Sequence, residues 1–310
     1  MKTILTYLSA LLLASLSQAE MLQVFIGTGS KDAEGIYQCT FDTETGKLSK
    51  PKLTATLERP GFLALSPDGK FLYCVGKQNK VDSVSAYSVN GAKLSLLNHQ
   101  PIGDGSGTHI TVHPNGKFLL TAQYGGGSVA SFPILADGKV GQRSQLAEHE
   151  GGSGVVPNRQ RAPHPHWVGF SPDGKFAFVP DLGLDDIVIY KTTPEGKLTE
   201  HGRASTVPGG GPRHMRFSTN GKFIHLLDEL SLSVTTFAYD AASGTTKKVG
   251  TTPTLSEAVK AKENFNSCSE IVIHPNGKFL YAGLRGARQN FDHITRYKVL
   301  PNGEAQFLGL

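Results

Sequence analysis

The 310-residue chain carries 31 Lys and Arg against 26 Asp and Glu, a formal net charge of +5, with 38% apolar and 18% charged residues. The excess positive charge is spread over turn lysines instead of one basic face, which argues against a nucleic-acid partner. The 36 Gly and 17 Pro are scattered and helical periodicity is weak throughout, so the length is read as one repetitive β domain rather than two unlike ones.

Residues 1–19 are expected to be a signal peptide. Lys2 precedes an apolar stretch from Ile4 to Leu16, and Ser17-Gln18-Ala19 places small residues for cleavage after Ala19. No second apolar segment is long enough to span a bilayer. The mature chain, residues 20–310, is therefore expected to be exported (periplasmic or extracellular), soluble and monomeric, without membrane attachment. Cys39, Cys74 and Cys268 show no CxxC spacing and are read as three buried strand residues.

From Arg59 onward one hairpin recurs. "RPGFLALSPDGKFLYCVGK" is followed by "THITVHPNGKFLLTAQY", "HWVGFSPDGKFAFVPDL", "RHMRFSTNGKFIHLLDE" and "SEIVIHPNGKFLYAGLR". The repeats start at Ser66, His113, Ser171, Ser218 and His274, with separations of 47, 58, 47 and 56 residues. Each unit reads as an inner strand, a Pro-Asp/Asn-Gly turn (Thr-Asn-Gly in the fourth repeat), a second strand, an alternating third strand such as "SVSAYSV" or "DIVIYKT", a second Gly turn and a fourth strand. The segment "LQVFIGTGS…GIYQCTFDTETGKLSK" supplies a partial unit before the first repeat. Four strands per period of 40 to 50 residues predict a β-propeller with one incomplete and five complete units. The two long separations place extra loops at Gln145 to Pro165 and Pro253 to Ser267, where binding groups concentrate on a rigid scaffold. "LSEAVKAKENF" (Leu255 to Phe265) is at best a short helical loop.

The turn ends of the hairpins are uniform, whereas the opposite ends vary. Five residues before each repeat start stand Gly61, Thr108, His166, Arg213 and Ser269. Eleven after it stand Lys77, Tyr124, Leu182, Glu229 and Arg285. His109, His164, His214, Asp228 and Glu270 are neighbours. In a propeller these positions share one mouth of the central channel. His166, Arg213, Glu229 and Arg285, from three successive units, form the candidate catalytic set. Two guanidinium groups, a carboxylate and an imidazole suit an anionic substrate and an acid–base step. His164, His214, Asp228, Glu270 and Tyr124 are candidate substrate-binding groups. Structural alternatives stay open: Arg213 and Glu229 also suit an ion pair within one unit, Glu270 a bond to backbone amides, and "HPH" an ordinary loop. "YGGGS" and "PGGGP" lack a following helix and read as turns. Asp181, Asp185 and Asp186 fit no calcium loop, and no Ser or Cys is paired with a base, so neither a metal nor a covalent nucleophile is expected.

The segments "VFIGTGSKDAEGIYQCTFDTETGKL", "AQYGGGSVASFPI", "HEGGSGVVPNRQRAPHPHWVGFSPDGKFAFVPDLGLDDI" and "GPRHMRFSTNGKFIHLLDEL" run in order through nearly the whole mature chain. With them the sequence resembles the lactonase family of seven-bladed propellers, which includes propeller-type bacterial 6-phosphogluconolactonases and fungal carboxy-muconate cyclases. The resemblance implies an active site of His166, Arg213, Glu229 and Arg285, the same four that register brings together. It also implies hydrolysis of a sugar lactone by a carboxylic ester hydrolase without a cofactor. The alternatives are cyclisation of a muconate-type dicarboxylate and a non-catalytic binding propeller. A small anionic sugar lactone or dicarboxylate is the expected partner. The family has a further blade after "SEIVIHPNGKFLYAGLRG", so about six of seven blades are expected here and the domain is read as C-terminally incomplete.

Overall fold

Six antiparallel sheets follow one another along the chain in a computed structural model that describes residues 20–29, 32–261, 266–286 and 292–310. The expected signal segment lies outside the described residues. The first sheet has three strands, β1 (Met21–Ile26), β2 (Gly35–Asp42) and β3 (Lys52–Thr56). The second runs β4 (Glu58–Leu65), β5 (Phe71–Gln78), β6 (Val81–Asn90) and β7 (Lys93–Pro101). The third comprises β8 (Gly107–Val112), β9 (Phe118–Gln123), β10 (Ser128–Pro133) and β11 (Gln145–Glu148). The fourth has β12 (Gly169–Phe170), β13 (Phe176–Asp181), β14 (Asp186–Thr192) and β15 (Leu198–Ser205). β16 (Pro212–Phe217), β17 (Phe223–Asp228), β18 (Ser233–Asp240) and β19 (Thr245–Pro253) build the fifth. β20 (Asn266–Ile273), β21 (Phe279–Gly286), β22 (His293–Val299) and β23 (Ala305–Gly309) build the sixth. The fold is therefore an all-β propeller of one partial and five complete blades, as the repeat predicts. The first long loop is shorter than expected, because Gln145–Glu148 forms the fourth strand of its blade. The second contains a single helical turn, α1 (Glu257–Lys260). The three cysteines are buried free thiols.

The recurrent residues have local physical jobs. In the turn after β4, the Ser66 hydroxyl donates to Asp68 Oδ1 (2.6 Å) and accepts from Phe71 N (3.0 Å). Ser171 with Asp173 and Ser218 with Asn220 repeat that knot. The Phe of each "GKF" then reaches the next blade. Phe71 covers Gly138, Phe118 covers Gly196, Phe176 covers Gly244 and Phe223 covers Gly303. Each glycine has φ between +73° and +88°, and a Cβ there would overlap the ring. Glycine is thus required twice over, by the backbone and by the close approach. The series stops at the two ends of the arc. No described glycine turn has Phe279 over it, and Gly91 and Gly46, in the equivalent turns of the second and first blades, have no neighbour within 4 Å of their Cβ positions. A shared core cluster links each sheet to the next in chain order, and none joins the sixth back to the first among the described residues. Ile294, Phe307 and Leu308 on one end, and Met21, Leu22 and Leu48 on the other, stay exposed.

A second regularity aims side chains at the channel. In every complete blade the inner strand carries surplus residues against its partner near the rim. Gly107 pairs with Gln123 and His109 with Ala122, leaving Thr108 unmatched. Pro212 pairs with Asp228 and His214 with Leu227, leaving Arg213 unmatched. Cys268 and Ile271 pair with Leu284 and Ala282, so Ser269 and Glu270 face Gly283 alone. Pro165 and Gly169 meet Asp181 and Phe178, a stretch that contains His166. In the second blade Arg59, Pro60 and Gly61 together oppose Gly76. Such bulges re-aim side chains out of the alternating pleat.

The Phe–Gly contacts predict unequal costs along the arc. Phe118→Ala, which empties a fully buried site, is expected to lower stability by about 3–5 kcal/mol. Phe279→Ala, with no glycine turn over it, is expected to cost clearly less. Urea denaturation of the two variants checks this, and equal losses would refute the assignment.

Candidate active site

The five rim residues singled out by register, Gly61, Thr108, His166, Arg213 and Ser269, all line one cavity of about 500 Å³ at the bulged ends of the inner strands. Lys77, His214 and Glu270 share its wall, as do Arg59, Phe62, Asp82 and Ser106. The residues therefore converge from blades two to six on a common opening.

Glu229 organises the charge. It follows β17 and is 5% exposed. Its Oε2 accepts from Arg213 Nε at 3.0 Å and lies 3.4 Å from Arg285 Nη2. Its Oε1 accepts from Arg159 Nη2 at 2.9 Å. Three guanidinium groups around one carboxylate leave an excess of two positive charges, which favours an anionic or polarised ligand. The arginines are anchored elsewhere as well. Arg213 Nη1 donates to the Ser269 carbonyl, and Arg285 Nη2 donates to the Cys268 carbonyl at 2.8 Å. Burial, and next the neighbouring Arg285 charge, lowers the Arg213 pKa. The Arg213–Glu229 pair thus ties β16 to the end of β17, and Arg213 is its member on the cavity wall.

The imidazoles beside this cluster are neutral. Burial holds His166 well below the ordinary histidine range, and the charge of Arg213 acts in the same direction. His166 Nδ1 is buried without a partner, so the ring presents Nε2 to the cavity. The ring meets Tyr124 at 75° and 5.4 Å, and His214 at 66° and 5.2 Å. His214 and His109 are likewise depressed by burial. His214 Nδ1 donates to Glu270 Oε2 at 3.1 Å. Glu270 Oε1 accepts from Arg216 Nη2 (3.0 Å) and from the Ile271 amide (2.8 Å), so the backbone bond anticipated for it exists within a wider network.

Two candidate binding groups stand back from the cavity. His164 stacks on Tyr124 at 4.4 Å, its Nδ1 donates to the Tyr124 carbonyl, and its amide donates to Asp181. The Tyr124 hydroxyl oxygen accepts from Arg159 Nη2 at 3.3 Å. Both therefore brace the site from behind. Asp228 is placed elsewhere altogether. It is fully buried on the far side of β17, where the hydroxyls of Thr206, Ser233 and Thr235 donate to its carboxylate. Burial pushes its pKa up to about 7. Asp228 is thus held away from the cavity wall: adjacent strand residues face opposite ways, and Glu229 turns to the arginines instead. Leu182, at the same register as Glu229, is fully buried.

Arg159 is the residue that sequence reasoning missed. It lies in the long loop flagged for its length, in "NRQR", but nothing local distinguishes it from Arg161. The loop is pinned by carboxylates once considered for calcium. Asp181 Oδ1 accepts from the amides of His164, Gly183 and Leu184. Asp185, at φ +58°, accepts from Gln160 and from the amides of Gly209 and Gly211. That knot fixes Arg159 and the "PGGGP" turn that precedes Arg213.

A family model described as "Lactonase, 7-bladed beta-propeller" matches residues 23–309. The chain belongs to this lactonase family. The 6-phosphogluconolactonase of Bacillus subtilis (strain 168) is 34% identical over 289 residues, covering 92% of this chain and 80% of the relative. That of Formosa agariphila is 31% identical over 297 residues, covering 92% and 82%. Among solved structures, the periplasmic gluconolactonase of Pseudomonas aeruginosa superposes with a TM-score of 0.84 at 29% identity, covering 93% of this chain and 82% of that one. The family is described as seven-bladed, and six sheets are present among the described residues here.

The ion cluster predicts an asymmetry among its members. Glu229→Ala strands three guanidinium groups, one of them largely buried, and is expected to cost roughly 3–5 kcal/mol. Arg159→Ala removes a partly exposed partner and is expected to cost about 1 kcal/mol or less. Thermal and urea unfolding of both variants checks the ranking, and a cost for Arg159→Ala equal to that of Glu229→Ala would contradict it.

Proposed function

We propose that the protein is a lactonase that hydrolyses a sugar lactone to its aldonate at the channel mouth. The observation that carries this is the neutral His166 sharing one cavity with Arg213, behind which Glu229, Arg159 and Arg285 form an ion cluster. The names of the related enzymes, 6-phosphogluconolactonase and gluconolactonase, support the substrate class.

In this reading the lactone carbonyl oxygen sits against the donors of Arg213 and Arg285 left free by their anchoring bonds. Water attacks the carbonyl carbon while His166 Nε2 accepts its proton. The tetrahedral oxyanion is stabilised by the two guanidinium groups, a preorganised contribution of roughly 3–4 kcal/mol per donor in comparable sites. Collapse breaks the ring C–O bond, and the imidazolium returns its proton to the departing ring oxygen, giving the open hydroxy acid. Glu229 acts as the counter-charge that keeps the three arginines in place. No step requires a covalent enzyme intermediate.

Export of the mature chain is part of the same proposal. It rests on the Lys2, Ile4–Leu16 and Ala19 pattern and on the periplasmic location stated for the Pseudomonas relative. No helix among the described residues is long and apolar enough to cross a membrane.

Purified protein is expected to release acid from glucono-δ-lactone or 6-phosphogluconolactone above the spontaneous rate in a pH-stat. Release at the spontaneous rate with both compounds would sink the reading. His166→Asn is expected to lower kcat by about 10²- to 10⁴-fold with little change in KM. The pH profile has a defined sign. Burial and Arg213 disfavour imidazolium, so the base is neutral at pH 7 and stays neutral as pH falls through about 6.5. Activity should therefore persist below about pH 6.5, and the acid limb should lie lower still; a limb above that value would contradict His166 as the base.

A further inference from the structure

The cavity has a second cationic pole, on the second blade and three blades away from the Arg213–Glu229 pair. Arg59 lines it and makes no hydrogen bond or ion pair with a described residue, whereas every arginine of the Glu229 cluster is anchored at least once. The Arg59 backbone sits at φ +53°, a region L-residues seldom occupy. It also lies in the largest of the inner-strand bulges, where three residues oppose Gly76 alone. Lys77 lies on the same wall, partly neutralised by Asp82 at 3.3 Å. The rim position filled by Thr108, His166, Arg213 or Ser269 in the other blades is here Gly61. A Cβ on Gly61 would have nothing nearer than 3.9 Å, so the wall in front of Arg59 is recessed.

We propose that this recess seats an anionic group at the far end of the sugar lactone, with Arg59 as its principal ligand, Lys77 as its second and Gly61 providing the room. The inference rests on the lactonase reading and deepens it. The lactone carbonyl engages the cluster on blades five and six, and a phosphate ester or terminal carboxylate of the same molecule reaches across to blade two. Arg59 is a specificity-determining residue that takes no part in the bond changes. A cation without a partner in a concave wall keeps its full attraction for an incoming anion, whereas the Glu229 arginines are already partly satisfied. A strained, bulged backbone is retained where it aims a functional side chain.

The test compares the binding of three open-chain products by calorimetry: 6-phosphogluconate, glucarate and gluconate. The wild-type protein should bind at least one of the first two more tightly than gluconate, and which one identifies phosphate or carboxylate as the group seated. Arg59→Asn keeps a residue tolerant of positive φ and removes the charge. It is expected to reduce the affinity ratio of the preferred anion over gluconate by about 10- to 100-fold, the worth of a charged hydrogen bond. Gly61→Thr, which fills the recess without disturbing Arg59, should reduce the same ratio. Equal affinity for all three compounds in the wild-type protein, or a ratio unchanged in both variants, overturns the proposal. Loss of the ratio in the variants of a protein that hydrolyses no lactone would instead overturn the reaction and leave the anion seat standing.

Discussion

The surplus residue near the rim of each inner strand is the constraint on which the site depends. A regular antiparallel pair alternates its side chains between two faces, and a propeller blade buries both faces against its neighbours. Without an interruption, residues at the strand ends would pack between blades. The bulge breaks the alternation once per blade, always at the same register. Thr108, His166, Arg213 and the Ser269–Glu270 pair are thereby turned toward the axis. Five equivalent bulges convert a stack of similar sheets into a ring of dissimilar inward groups. The scaffold can thus stay uniform at its turns while its mouth carries chemistry.

Electrostatics then decides what the mouth holds. A carboxylate as buried as Glu229 needs compensation, and three guanidinium groups overcompensate it. The surplus positive charge and the shortage of water act together on the nearby rings. His109, His166 and His214 all stay neutral for the same two reasons, desolvation and adjacent cations. A site that attracts anions therefore also keeps its imidazoles unprotonated and able to accept a proton. The two properties have one origin.

Much of this was legible in the residues. The Pro-Asp/Asn-Gly turns, the spacing near 47 residues and the partial first unit fix six blades, and counting from each repeat start finds the rim. The counting works because every blade has its bulge at the same place, although the bulge itself leaves no mark in composition. What stayed illegible depends on side-chain direction and loop path. Asp228 and Glu229 are consecutive acids at a strand end, and only pairing shows that one faces a nest of hydroxyls and the other a cluster of arginines. Arg159 and Arg161 flank one glutamine in a loop whose course is set by Asp181 and Asp185, far along the chain. Arg59 reads as the ordinary start of a strand until the three-against-one pairing with Gly76 appears.

The ring-over-glycine contact between blades has a direction: the aromatic always comes from one blade and the turn from the next. The arc accordingly ends in unlike halves, a Phe279 with no described glycine turn over it at one side and an uncovered Gly46 at the other. Unlike halves cannot be matched by a two-fold axis. A union that joins one half to the other is therefore head-to-tail, whether the complement is a further blade or another molecule, and only the former closes the circle within one chain.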